Sequence, residues 1–178
     1  DEAAVALNFS AAFLVHSNLG GQGGQGSQPA GTPPSIRFGG LGILPDGRSV
    51  DLVVSNTSRY NAWDARWNGL KTEGRSGSMG CINQIAPRDS PPSFGLQSTS
   101  TSLRFAFIDS LTSAPVTIGL THLSFLDFDE ASDERARECL TLSGADEVTT
   151  ERSRSRGGGF EPQVSVSLTT PTQLEWNA

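Results

Sequence analysis

The chain has 178 residues, a formal net charge of −6 and a hydrophobic fraction of 35%. Its 20 glycines and 10 prolines, with many serines and threonines, favour a loop-rich β protein over a helical one. The acidic balance argues against nucleic acid as a partner, and no apolar run approaches the ~20 residues that a membrane span needs.

The first 15 residues are predicted to form an N-terminal arm that contains a strand. Val5, Leu7 and Phe9 alternate with more polar residues, as in a half-buried strand. Residues 16–35 are rich in Gly and Pro, so we expect them to be a flexible connector. A strand on a flexible connector is the layout that strand exchange between copies requires. The alternative is that the arm pairs within its own chain.

The remainder of the chain, 36–178, is predicted to be one β domain. Short apolar or alternating runs are separated by turn residues, and we expect an all-β antiparallel sandwich, jelly-roll-like or immunoglobulin-like, with long loops. One short helical turn is predicted near 130–138 and a polar loop at 149–159. The predicted strands lie at 36–38, 50–54, 79–85, 103–109, 116–128, 138–142, 164–168 and 173–176.

The best candidate for a metal site is an acidic cluster that follows the apolar run at 116–128. Calcium takes six to eight oxygen ligands, often from loop carboxylates, and closely spaced carboxylates repel unless they are paired or bound to a metal. The alternative is a solvated acidic turn paired with the arginines that follow. If the runs at 103–109 and 116–128 form a hairpin, Asp109 lies at the end away from this cluster. The candidate calcium ligands are Asp127, Asp129, Glu130 and Asp133.

An aromatic segment offers a candidate carbohydrate site. Tyr60, Trp63 and Trp67 lie close together in an irregular stretch, and sugars stack on exposed aromatic rings. The alternative is that these rings anchor the stretch over the core.

The cysteines and two glycosylation sequons favour a secreted protein. Cys81 and Cys139 lack zinc-binding spacing, so they form either one disulfide or two buried thiols. Asn8 and Asn56 each begin an Asn-x-Ser/Thr sequon. An extracellular location would allow both the disulfide and the glycans.

Signatures of catalysis are weak. The only histidines are His16 and His122, and no Gly-x-Ser-x-Gly elbow occurs. The sequence therefore predicts a protein that is not an enzyme and that needs no cofactor, with calcium as the one ion considered.

Several short motifs resemble a β-rich extracellular module of secreted and surface proteins of algae and related protists. The resemblance covers residues 36–143, and it implies a secreted domain without an assigned catalytic activity and without functional residues to transfer. The motifs lie at 50–56, 68–69, 80–83, 103–110, 114–116 and 125–129.

From these features we expect a secreted, non-enzymatic structural or adhesive module at the cell surface. Its expected partners are copies of itself or other surface proteins, with association by strand exchange. The alternative is a calcium-assisted carbohydrate-binding domain of lectin type.

Overall fold

A computed structural model describes residues 5–72, 78–85, 100–119, 121–125, 141–143, 147–154, 160–168 and 173–177. Within these residues, eleven strands and two short 3₁₀ helices, Leu19–Gly21 and Ala65–Trp67, make up the regular structure. The strands are β1 (Phe13–Ser17), β2 (Ser35–Ile43), β3 (Ser49–Asn56), β4 (Gly69–Thr72), β5 (Ser78–Cys81), β6 (Ser102–Asp109), β7 (Thr121–Phe125), β8 (Thr141–Ser143), β9 (Glu147–Arg154), β10 (Phe160–Leu168) and β11 (Gln173–Asn177).

The strands form three sheets in which every pairing is antiparallel. A six-stranded sheet has the order β1-β2-β3-β6-β11-β8, a three-stranded sheet has the order β7-β10-β9, and β4 pairs with β5. The predicted all-β antiparallel class is therefore confirmed. None of the helices in the described ranges has the length and hydropathy that crossing a membrane requires.

The hydrophobic core lies on one face of the six-stranded sheet. In β6, Leu103, Phe105 and Phe107 are buried and alternate with partly exposed residues, because successive side chains in a strand point to opposite faces. The same alternation in β2 and β3 adds Ile36, Phe38, Val50, Leu52 and Val54 to this core. Phe125 of β7 meets Phe105 edge to face, with ring centroids 5.8 Å apart.

One strand pairing and one predicted loop differ from what the sequence suggests. β6 pairs with β3 and β11, while β7 pairs with β10, so the hairpin between 103–109 and 116–128 is wrong. Residues 147–154, which overlap the predicted polar loop, form strand β9 and pair with β10. The periodicity of hydrophobic residues identifies a strand but not the strand that pairs with it. Residues 147–154 form a strand in spite of their polar composition, because they hydrogen-bond to β10.

The N-terminal arm joins the sheet of its own chain. Val5 is buried, but residues 5–9 do not form the predicted strand; the strand lies further along the chain, in β1. β1 pairs with β2, and the register shifts between Leu14 and His16. This shift is a β-bulge, which increases the local twist of an edge strand.

The Gly- and Pro-rich residues 18–34, predicted to be part of a flexible connector, pack against the rest of the molecule along a defined path. Gly24 lies so close to β1 that a Cβ placed on it would be 2.4 Å from the carbonyl oxygen of Ser17. The side-chain oxygen of Gln28 accepts a hydrogen bond from the amide of Ser17 at 3.4 Å. This segment therefore covers the open edge of β1 at its C-terminal end, which is one way in which proteins protect an edge strand.

Candidate binding surfaces

A buried hydrogen-bond network around Asn68 holds the backbone of the aromatic segment in place. Asn68 is fully buried, and its Nδ2 donates to the hydroxyl of Tyr60 at 2.8 Å. Its Oδ1 accepts from the backbone amide of Asn83 at 2.9 Å and from the side-chain amide of Asn83 at 3.0 Å. The Tyr60 hydroxyl in turn bonds the carbonyl of Asn83. Buried polar groups bonded on every side rigidify the segment that carries them.

The Tyr60 ring belongs to the core. Only 4% of this residue is exposed, and burial raises the pKa of its hydroxyl. A sugar cannot stack on a ring that is covered by protein, so Tyr60 does not contribute to an exposed aromatic surface. For this residue the structure agrees with the alternative interpretation, in which an aromatic side chain anchors the segment over the core.

The two tryptophans of the segment are exposed. Trp63 is 63% exposed and Trp67 is 52% exposed. Between them Asp64 caps the helix Ala65–Trp67, because its carboxylate accepts from the amide of Arg66 at 3.0 Å. The backbone of Asp64 is itself held by two 2.9 Å hydrogen bonds to the side chain of Asn83. Both indole rings are therefore exposed to solvent, while the backbone between them is held at Asp64 by the side chain of Asn83.

Gln25, Arg66 and Trp67 line a shallow depression beside the second of these rings. Gln25 reaches it from the Gly-rich segment, where its backbone amide donates to the carbonyl of Asn68 at 3.1 Å. Its side-chain Oε1 accepts from the amide of Leu70 at 2.9 Å. The depression is therefore formed by two stretches of chain that are distant in sequence.

Arg66 and Asp64 form a close ion pair at the rim of this depression. The guanidinium contacts the carboxylate at 2.6 Å through one terminal nitrogen and at 3.0 Å through Nε. The side-chain hydrogen bond from Arg66 lowers the pKa of Asp64. The positive charge of Arg66 and the negative charge of Asp64 therefore compensate each other beside Trp67.

A second exposed apolar surface, the β1 face, consists of Phe13, Val15 and the glycine beneath them. Phe13 is 58% exposed and Val15 is 45% exposed. A Cβ on Gly39 would lie 2.5 Å from the Phe13 ring and 3.0 Å from Val15. Since Phe38 points into the core, its neighbour Gly39 faces the opposite way, and the β1 face is therefore on the outer side of the sheet.

A serine–histidine pair lies at the other end of β1. Nε2 of His16 and Oγ of Ser35 are 2.9 Å apart. Burial, and then the charge of Arg37, lower the pKa of His16. A hydrolytic triad also needs a carboxylate bonded to the histidine, and within the described ranges no carboxylate forms such a hydrogen bond.

Most of the other predicted site residues lie outside the described residues. They are the candidate calcium ligands Asp127, Asp129, Glu130 and Asp133, the helical turn near 130–138, and Cys139. The calcium site and the disulfide therefore stay predictions. The residues that the structure does describe contain no group of three potential metal ligands. Cys81 is the last residue of β5 and is partly buried.

The two sequon asparagines differ in their environment. Asn8 is exposed, and its side-chain oxygen accepts from the amide of Ser10 at 2.9 Å. Asn56 ends β3, and its side-chain nitrogen donates to the carbonyl of Ser58 at 2.7 Å. A glycan on Asn56 would replace one of the two hydrogens of this nitrogen and leave the other for the bond to Ser58, whereas the nitrogen of Asn8 has no partner in the part of the chain that the structure describes.

Sequence reasoning did not identify Gln25, Arg66 or Asn68 as members of a surface or of its support. Asn68 precedes a glycine, a pair that indicates a turn, and gives no sign of full burial. Gln25 stands in a low-complexity stretch, where no periodic pattern singles it out. Asp64 and Arg66 stand two residues apart in the sequence, and this closeness is the local feature that could have suggested their ion pair.

Comparison of the chain with protein-family models, with curated proteins and with solved structures finds no match. The resemblance to extracellular algal and protist modules accordingly stays a prediction.

Proposed function

We propose that the chain is a non-enzymatic structural or adhesive module of a secreted or cell-surface protein, and that its copies associate through the β1 face. The observation that carries this proposal is the exposure of Phe13 and Val15 side by side on the outer side of the sheet. Contiguous apolar surface of this kind marks an interaction site more often than isolated exposed residues do.

The chemistry of β1 supports self-association. Its sequence, Phe-Leu-Val-His-Ser, contains no Lys, Arg or acidic residue, so no charged side chain of β1 itself opposes apolar packing through its outer face. Two side chains bury far less area than the ~800 Å² per partner of a stable interface. Association of single modules is therefore weak, and arrays of modules on a surface or filament gain strength through multivalency.

Face-to-face packing and strand exchange make different demands on the molecule. Packing through the β1 face leaves β1 paired with β2. Exchange must break that pairing, and it must also break the hydrogen bonds that Ser17 makes to Asn68 at 2.8 Å and to Gln28. The anchored connector therefore favours association without exchange, and the two routes differ in kinetics.

Sedimentation velocity of the whole chain over a range of concentrations tests the proposal. The sedimentation coefficient should rise with concentration for the wild type and stay at the monomer value for the double variant Phe13→Ser, Val15→Ser. The matched control is Trp63→Ser, Trp67→Ser, which removes equally exposed apolar groups elsewhere and should behave like the wild type. A wild type that stays monomeric throughout would overturn the proposal. Complexes that persist after dilution would indicate strand exchange, since exchange requires partial unfolding.

Carbohydrate binding is a second candidate function, favoured by the exposure of Trp63 and Trp67. The indole of Trp67 borders a depression that also contains a side-chain amide and an ion pair. Apolar rings combined with a few fixed polar groups are typical of sites for small polar molecules. Retention of the chain on immobilised glycans, reduced in the tryptophan double variant, is the basic test of this function.

A further inference from the structure

We infer that the depression beside Trp67 binds a neutral polysaccharide, with one sugar ring stacked on the indole and a sugar hydroxyl bonded to the side-chain nitrogen of Gln25. The inference rests on the second candidate function, carbohydrate binding, and specifies its site and ligand class. It requires no metal ion at the site.

The orientation of the Gln25 amide follows from its hydrogen bond. The backbone amide of Leu70 can only donate, so the atom that it contacts at 2.9 Å is the oxygen of the Gln25 side chain. This places the nitrogen on the other branch of the amide, and that nitrogen has no partner within the residues that the structure describes. Gln25 is therefore a fixed donor with free hydrogens, and it lines the same depression as Trp67, so a hydroxyl ligand in the depression can accept from it.

The charges at the rim select the kind of glycan. Arg66 is already bonded to Asp64 through two nitrogens, and such bidentate pairs are the strongest hydrogen-bonded ion pairs. An acidic sugar that bonded the remaining N–H groups of Arg66 would lie near the carboxylate of Asp64 and would gain little net attraction, because the two charges of the pair compensate each other. A neutral sugar meets no repulsion from this carboxylate.

The shape of the surface selects the kind of ring. Trp67 is exposed on a shallow depression rather than enclosed in a cleft, so a ligand covers it by lying flat. Hexose rings with equatorial hydroxyls have two faces made of C–H groups and hydroxyls around the edge. Such a ring buries apolar area on the indole while its edge hydroxyl reaches Gln25. β-Linked glucans and related neutral chains have this form.

Electrophoresis in native gels that contain a soluble polysaccharide tests the inference. The probes are hydroxyethylcellulose, laminarin and galactomannan as neutral chains, and polygalacturonate and alginate as acidic ones. Migration of the wild type should be slowed by at least one neutral chain and not by the acidic chains, and EDTA should not change this result.

Two variants locate the site. Gln25→Glu keeps the oxygen that accepts from Leu70 but removes the donor hydrogens, and Trp67→Ala removes the stacking surface. Each should weaken retention by about tenfold or more, as loss of a central contact commonly does. Ile43→Ala, at an apolar position of similar exposure at the end of β2, should bind like the wild type. Equal urea midpoints for the variants and the wild type show that the fold is retained.

The possible failures are distinguishable. Retention that survives both Gln25→Glu and Trp67→Ala, or that EDTA abolishes, would overturn this site while supporting carbohydrate binding elsewhere in the chain. Retention on acidic chains alone would overturn the ligand class. Absence of retention on every glycan would overturn both the inference and the second candidate function, and it would leave self-association through the β1 face to be judged by its own test.

Discussion

Replacement of Asn68 by alanine should destabilise the protein strongly, although the residue lies in an irregular segment. Asn68 is fully buried, and its side chain makes one hydrogen bond to Tyr60 and two to Asn83. At about 1 kcal/mol net for each bond, the loss is about 3 kcal/mol. The amide of Asn83 would be left without its acceptor, which adds to the cost.

Urea unfolding followed by tryptophan fluorescence measures this effect. With a slope of about 2 kcal/mol per molar urea, Asn68→Ala should lower the midpoint by about 1.5 M. Asn61→Ala is the control, because the Asn61 side chain makes no hydrogen bond within the described residues, and it should change stability by less than about 0.5 kcal/mol. Equal midpoints for the two variants would refute the claim that Asn68 anchors the aromatic segment.

Two predictions concern pH. Hydrogen bonds to Asp109, chiefly from the backbone of Thr112, hold the pKa of this carboxyl below its ordinary value of 3.8. The unfolded chain therefore takes up the proton first, and the stability contributed by Asp109 is complete above 3.8 and is lost as the pH falls through the lower pKa of the folded state. The difference in urea midpoint between the wild type and Asp109→Asn should thus be wide at neutral pH and should narrow as the pH falls below 3.8 towards the lower pKa of the folded state; a constant difference would contradict the assignment. Burial and Arg37 lower the pKa of His16, so its ring should titrate below 6.5 in an NMR pH series, and the fold should lose stability as the pH falls from 6.5 towards that lower value. A His16 pKa at or above 6.5 would contradict the described packing of its ring.

The sequence predicted the strands whose side chains alternate clearly. Leu103, Phe105 and Phe107 follow one another at every second position, and the structure buries all three. The turn between β2 and β3 was also visible, since Pro45 precedes Gly47, which adopts a φ of 88°. Local chemistry determines such features, so a single sequence contains the information.

The pairing of strands and the course of the Gly-rich segment could not be read in the same way. Which strand lies beside β6 depends on contacts between distant residues, and period alone does not encode them. Residues 18–34 are polar and rich in glycine, a composition typical of flexible linkers, yet three glutamine side chains bind backbone groups there. Gln22 bonds the backbone of Tyr60 and Ala62, Gln25 that of Leu70, and Gln28 that of Ser17 and Gln25.

The candidate aromatic site was likewise predictable only in part from the sequence. Trp63 and Trp67 were identifiable because large aromatic residues are few in this chain, and their exposure agrees with a binding surface. Tyr60 was grouped with them by proximity in sequence, whereas its hydroxyl finds partners inside the protein. Proximity in sequence does not determine which way a ring points in an irregular segment.

The central claim, association of copies through the β1 face, is tested most directly by NMR of the ¹⁵N-labelled chain at increasing concentration. We expect concentration-dependent shifts chiefly at the amides of Phe13, Val15 and Gly39, and we expect these shifts to disappear in the Phe13→Ser, Val15→Ser variant. Shifts confined to Trp63 and Trp67, or a spectrum that does not change with concentration, would contradict the claim.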